Sequence, residues 1–466
     1  MRQPQRRRVI TTTATVLGLL LSLSTPLLAT AEPPDTAVRI EPTPALTLPP
    51  ELDEFYKPAA GVVAAAEPGQ VLRARTITPA YFGFAQLNID AWQLLYRTTN
   101  SFGEAISTVT TVLKPRGRAP EGGRKLLSYQ IAEDSAAQYC APSYVVQSGS
   151  IPADYVNAAE ILIPIAAGIG QGWTVALPDY EGPNSAYGVS RISAQATLDG
   201  IRAVESFAPA QLSGVDTPTA LWGYSGGTIP SSFAAELKQQ YAPELNIVGI
   251  AAGGVAAADF PEALRHNNGG VYTGLLTGVL AGFANEYPEF RQLIRDRVDP
   301  LGQLLIGSKL ILCHPMGTAI VPFYNFFGAF RGGNPLDEPV VRRMIADNAL
   351  GQATPSVPVY IYHAQNDEIL PGSAVDRLVD KYCAEGAPSV TYVRELLAEH
   401  ISGVATHLPG AFHWLRDRLN GVPAQPGCAI SSPATTVTDP QFAQAATEIL
   451  PTAVQALLGQ AIGAGN

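Results

Sequence analysis

The sequence predicts an α/β fold: a mostly parallel sheet with helices on both faces, interrupted by a helical insertion. Short apolar runs ending in turn residues alternate with helix-compatible segments, first from "RKLLSYQIAED" to "NIVGIAAGGV" and again from "SVPVYIYHAQNDEIL" to "GAFHWLRDRLNG". Between the two series, residues 260–345 are unusually apolar and helix-compatible, with no clear buried strand. The 466-residue chain is 46% hydrophobic and 15% charged, enough apolar material for one large core with a cap.

In chain order, "QRRRVI" precedes an apolar run that is broken by Ser22, Ser24 and Pro26 and ends at Ala29-Thr30-Ala31. That is the layout of a cleavable export signal over 1–31, cut after Ala31, and the run is too short and interrupted for a membrane anchor. The mature chain is therefore expected to be secreted or envelope-associated, with no transmembrane segment. Residues 32–60, rich in proline and acidic groups, read as an extended arm. A first core part covers 61–259, opening with two strand-like runs around Asn100-Ser101-Phe102-Gly103, the pattern of an antiparallel hairpin. The helical cap or lid follows over 260–345, a second core part over 346–428, and a tail over 429–466.

A formal net charge of −10 argues against nucleic acid or an anionic membrane surface as partner. The four cysteines, Cys140, Cys313, Cys383 and Cys428, are an even number in an exported chain, so two disulfides are expected, with three pairings open. No Cys/His cluster has metal spacing, and neither a metal nor another cofactor is expected.

Gly223-Tyr224-Ser225-Gly226-Gly227 matches G-x-S-x-G, and it follows a predicted strand and precedes a predicted helix, as a nucleophile elbow requires. A serine hydroxyl is a weak nucleophile until a base takes its proton, and in this fold acid and histidine follow the serine on loops after late strands. Among the six histidines His400 ends "VTYVRELLAEH", directly after the last predicted strand, ahead of its nearest competitor His407. Asp367 in "YIYHAQNDEIL" holds the acid position, with Glu368 adjacent, whereas Asp376 and Asp380 fall on the next helix. The backbone N–H of Gly226 is one expected oxyanion donor; the loop "SYQIAEDSAAQYCAPSY" carries the second, which the elbow rule alone leaves unnamed. Leu275, Leu276, Leu280, Phe283, Phe326 and Phe327 of the insertion are expected to line an acyl site.

"EFYKPAAG", "PGQVLRAR", "SYQIAEDS", "YCAPSY", "ALPDYEGP", "GYSGGT", "HAQNDEILP" and "AEH" resemble, in order and spacing, the secretory lipase family, over about residues 54–428. The resemblance implies an α/β-hydrolase core with a helical lid inserted between nucleophile and acid, and hydrolysis of triacylglycerols and other carboxylic esters. It assigns Ser225 as nucleophile, Asp367 as acid, His400 as base, and Asp134 and Gly226 as oxyanion donors. It also pairs Cys140 with Cys313 and Cys383 with Cys428. The expected partner is a lipid or small ester, met in solution or at an oil–water interface. The rivals are a short-chain carboxylesterase, an acyltransferase, a non-catalytic envelope lipid-binding protein, and a peptidase of the same fold.

Overall fold

The computed structural model describes residues 38–463, so the expected export signal lies outside the described residues. Eleven strands form one sheet: β1 (Ile40–Glu41), β2 (Val71–Thr76), β3 (Asp90–Thr99), β4 (Ala105–Lys114), β5 (Leu126–Gln130), β6 (Thr174–Pro178), β7 (Thr219–Tyr224), β8 (Ile247–Gly253), β9 (Val359–Ala364), β10 (Ser389–Glu395) and β11 (Gly427–Ser431). Their spatial order is β1-β2-β3-β4-β6-β5-β7-β8-β9-β10-β11. From β6 across to β11 every pairing is parallel, while β2-β3, β3-β4 and β4-β6 are antiparallel. The sheet is mostly parallel, and this is an α/β-hydrolase architecture with helices between successive parallel strands.

The β3-β4 hairpin forms where the turn residues predict it. Asn100 Oδ1 accepts from the Phe102 and Glu104 backbone N–H groups at 3.0 and 2.9 Å, and Gly103 takes φ 83°. An asparagine closing its own turn through its side chain in this way is why that residue type favours turns.

Every residue of β5, β6, β7 and β9 is buried, as expected of parallel strands covered on both faces. Alternation along a strand divides the apolar residues between two cores. Leu221, Val359 and Ile361 face the core built with helices Ser190–Glu205, Thr228–Tyr241 and Gly372–Ala384. Ala220, Trp222, Tyr360 and Tyr362 face the other, built with helix His400–Leu419.

The chain beyond Cys428, expected as a tail, is part of this framework. β11 pairs with β10, and helix Pro440–Leu457 buries Ala445 and Ala456 in the second core. All five residues of β11 are exposed, so little burial holds this edge strand; the Cys383–Cys428 disulfide pins it covalently. A tail reading misses it because the strand buries no apolar face that would announce it.

Between β8 and β9 the chain leaves the sheet for seven helices among the described residues: Phe260–Asn267, Thr273–Glu286, Pro288–Arg297, Pro300–Ser308, His314–Ala319, Phe326–Ala329 and Pro339–Asn348. Their starts are written locally. Asp259 and Asp299 accept from the Glu262 and Gly302 N–H groups at 3.0 and 2.7 Å, and Pro288, Pro300 and Pro339 open helices where no N–H is needed. Helix Thr273–Glu286 turns Leu276, Val279, Leu280 and Phe283 inward, at the spacing of one helical face. With Phe326, Phe327 and Met344 they enclose an apolar cavity of about 70 Å³ inside the insertion.

Candidate active site

Ser225 stands between β7 and the helix Thr228–Tyr241, in a single 3-10 turn, with φ 50°. Left-handed backbone is costly for a residue with a Cβ, and such strain persists where surrounding structure enforces it. The enforcing contacts are close. A Cβ on Gly223 would lie 2.1 Å from the Gly227 carbonyl oxygen, and one on Gly227 would lie 2.1 Å from the Gln130 carbonyl oxygen. Only glycine lets the turn tighten enough to lift the Ser225 hydroxyl off the sheet end. The turn also puts Ser225 at the positive end of the following helix, which favours negative charge there.

His400 begins helix His400–Leu419, and its Nε2 lies 2.9 Å from Ser225 Oγ. Its Nδ1 lies 2.7 Å from Asp367 Oδ2, and Asp367 is 8% exposed. Burial pushes the Asp367 carboxyl up, but the hydrogen bond and charge of His400 outweigh it, and the group is held below the ordinary carboxylate range. The remaining oxygen, Oδ1, accepts from the Ile369 and Leu370 backbone N–H groups at 3.0 and 2.7 Å. The Tyr224 hydroxyl donates to the His400 backbone carbonyl at 2.6 Å, so the residue before the elbow serine also holds the backbone that carries the imidazole.

Two other buried histidines have different hydrogen-bond partners. His407 is buried with Nδ1 on the Gly403 carbonyl at 3.0 Å, His363 is held in β9 with Nε2 on the Leu370 carbonyl at 3.1 Å, and burial lowers the pKa of both.

Asp134 follows β5 and is the second strained residue here, with φ 45°. A Cβ on Gly226 would overlap Asp134 Oδ1, at 1.6 Å, so the two expected oxyanion residues are in direct contact. Burial raises the pKa of the Asp134 carboxyl, and Oδ2 lies 3.7 Å from His314 Nδ1. The Cys140–Cys313 disulfide, with Cα atoms 5.5 Å apart, joins the loop after β5 to the insertion immediately before His314.

A cavity of about 350 Å³ opens over Ser225 and His400. Its walls are largely apolar: Val156, Ala159, Ile163, Leu275, Ile369, Ile401 and Val404, with Asp134, Glu160, Tyr272 and His314 as polar members. A mostly apolar pocket with a few polar groups converging on a nucleophile suits a ligand with one reactive polar centre and an apolar body. Of the six insertion residues expected at an acyl site only Leu275 lines this cavity; Leu276, Leu280, Phe283, Phe326 and Phe327 line the separate cavity inside the insertion. Successive residues on a helix point about 100° apart, so Leu275 faces Ser225 while Leu276 turns inward.

Three features had no signal in the sequence. Glu160 accepts from the Tyr129 hydroxyl at 2.9 Å and from the Ala132 N–H at 3.1 Å, and the surrounding protein desolvates its carboxyl and lifts it to about 8. Glu133 and Glu181 are fully buried with no hydrogen-bond partner on either carboxyl, and burial together with the neighbouring carboxylates pushes both upward. Glu368 receives the His400 backbone N–H on Oε2 at 3.0 Å. Each depends on segments brought together only by the fold.

A family model described as secretory lipase matches residues 153–427. Lipase A of Arthroderma benhamiae is 36% identical over 427 residues, covering 89% of this chain and 89% of that protein. A Mycobacterium tuberculosis protein bearing the name probable inactive lipase is 37% identical over 378 residues, covering 80% of this chain and 83% of that protein. Candida antarctica lipase A, in an X-ray structure of its closed state, is similar with a TM-score of 0.79 at 30% identity, covering 86% of this chain and 95% of that one. The chain belongs to the secretory lipase family, and it is a lipid-ester hydrolase built on the α/β-hydrolase fold.

Proposed function

We propose that the protein is an exported acylglycerol lipase that works through an acyl-enzyme on Ser225. The observation that carries this reading is the unbroken hydrogen-bonded line Ser225–His400–Asp367 beneath a largely apolar cavity. His400 Nε2 takes the Ser225 proton as Oγ attacks the ester carbonyl, and the carbonyl oxygen gathers charge against the N–H groups of Gly226 and Asp134. The tetrahedral intermediate collapses as Nε2 protonates the departing alcohol. Water then attacks the acyl-enzyme, His400 takes its proton, and the carboxylic acid leaves as Nε2 returns a proton to Ser225 Oγ. Asp367 stays ionised throughout, fixing the imidazole tautomer and balancing the imidazolium. The family membership supports export, with the signal over 1–31, and triacylglycerol as substrate.

One observation favours a narrower reading, a carboxylesterase for short acyl chains: the cavity at Ser225 shares no lining residue with the cavity inside the insertion. The non-catalytic alternative gains interest from the relative named a probable inactive lipase, yet here serine, imidazole and carboxylate are all present and within hydrogen-bonding distance. The test is hydrolysis of a glyceride series from short soluble to emulsified long chains by the mature protein and by Ser225→Ala, with labelling by an organophosphate ester. Activity and labelling lost together in Ser225→Ala support the site. A profile confined to short chains replaces the lipase reading with the esterase one.

A further inference from the structure

Glu368 follows the acid Asp367, yet it is turned to a different task. Its Oε2 accepts from the backbone N–H of His400 at 3.0 Å, while Asp367 Oδ2 meets the ring Nδ1 of the same histidine at 2.7 Å. One loop therefore grips the imidazole residue at two points. The other Glu368 oxygen, Oε1, accepts from the Tyr272 hydroxyl at 3.1 Å, and the Glu368 carbonyl lies 2.9 Å from His266 Nε2. Both partners belong to the insertion. Tyr272 precedes helix Thr273–Glu286, and its side chain lines the cavity over Ser225 beside Leu275. The same loop receives a third tie from the insertion, Asn267 Nδ2 donating to the Ile369 carbonyl at 2.9 Å.

The backbone N–H of His400 is one of the donors at the start of its helix that no intrahelical carbonyl reaches. A carboxylate there satisfies a donor and complements the helix dipole. It adds to the capping box that Glu399 and Ser402 form at this helix start, and because His400 is the first helical residue the Glu368 contact bears directly on where the imidazole sits. That carboxylate is in turn seated by the Tyr272 hydroxyl, so the position of the insertion bears on the position of the base.

We propose that Glu368 is a positioning residue whose carboxylate, bridging the Tyr272 hydroxyl and the His400 backbone N–H, couples the seating of the inserted helices to the alignment of the base. The inference rests on the triad reading above. A ligand that enters beside Leu275 and shifts Tyr272 thereby loosens or re-seats the group that holds His400. Glutamine in this place keeps both hydrogen bonds, its carbonyl accepting from His400 and its amide donating to the tyrosine oxygen; alanine keeps neither.

The experiment is a double-mutant cycle on the mature protein hydrolysing p-nitrophenyl butyrate, with a melting temperature for every variant and Ser225→Ala as control. Glu368→Ala is expected to lower kcat by roughly tenfold or more with KM within about twofold, the pattern of a misaligned catalytic group. Glu368→Gln is expected to recover most of that loss. Tyr272→Phe is expected to lower kcat by about threefold alone and to add nothing in the Glu368→Ala background, because the arm it cuts is already gone. Additive losses overturn the proposal, as does a Gln variant as impaired as Ala or a normal kcat in Glu368→Ala. If Glu368→Ala does not fold, the same cycle run with Glu368→Leu decides, and a Leu variant that folds with normal kcat also overturns it. Retained activity in Ser225→Ala would instead overturn the triad reading, so the two failures are distinguishable.

Discussion

Asp367 and His400 meet at 2.7 Å between Oδ2 and Nδ1, and the second Asp367 oxygen is occupied by two backbone N–H groups of its own loop. The carboxylate has no freedom to rotate away, so the imidazole is offered one partner in one place. Asp367→Asn preserves shape but presents an amide in place of one carboxylate oxygen, which favours the wrong tautomer. On the triad reading, kcat is expected to fall by about 10³- to 10⁴-fold with KM little changed, measured by steady-state ester hydrolysis.

Stability is expected to decline on the alkaline side. Burial raises Asp154 and Asp179 to about 7 and Glu205 to about 8, so each binds its proton more tightly folded than unfolded. Such groups stabilise fully below their unfolded values near 4, and that contribution is lost as pH rises through 7 to 8. Asp367 and Glu395 are depressed and act oppositely, contributing above about pH 4 and failing in acid. The melting temperature is expected to peak at about pH 5 and fall towards about pH 8, and Glu205→Gln is expected to flatten that fall. A melting temperature flat or rising over the same range, by scanning fluorimetry, contradicts it.

The two disulfides are expected to fail differently. Cys383→Ser with Cys428→Ser releases the exposed β11, lowering stability by about 2–4 kcal/mol in urea denaturation with kcat on soluble esters unchanged. Cys140→Ser with Cys313→Ser frees the loop after β5 from the insertion beside His314, and kcat is expected to drop along with stability.

Neighbouring leucines separate the two cavities. Leu275→Trp fills the space over Ser225 and is expected to shift chain-length preference towards shorter acyl groups. Leu276→Ala enlarges the cavity inside the insertion and is expected to cost about 2–5 kcal/mol of stability with the chain-length profile unchanged.

These residues also mark how far the sequence could be read. The elbow was legible because Gly223 and Gly227 answer to close backbone approaches within one short segment, and Asp367 and His400 because chain order in this fold is restrictive. Asp134 comes forward as a donor only through family resemblance, since a donor from a backbone N–H leaves no demand on side-chain type. Leu276 and Phe283 line the cavity inside the insertion and not the one over Ser225, a division the sequence does not carry because an apolar helix shows which residues avoid water without showing which cavity receives them. Glu368 looked like a neighbour of the acid; its grip on His400 exists only once two loops converge.

The Cys140–Cys313 bridge has a topological consequence. It spans a sequence separation of 173 and so closes a covalent ring that contains the elbow serine. A single proteolytic cut within the ring, at the exposed Ile151 or Val271 for example, leaves two fragments on one molecule. After a cut at Val271 one fragment carries Ser225 and the other Asp367 and His400, and only a reductant lets them part. A nicked copy of this protein thus remains a single covalent object.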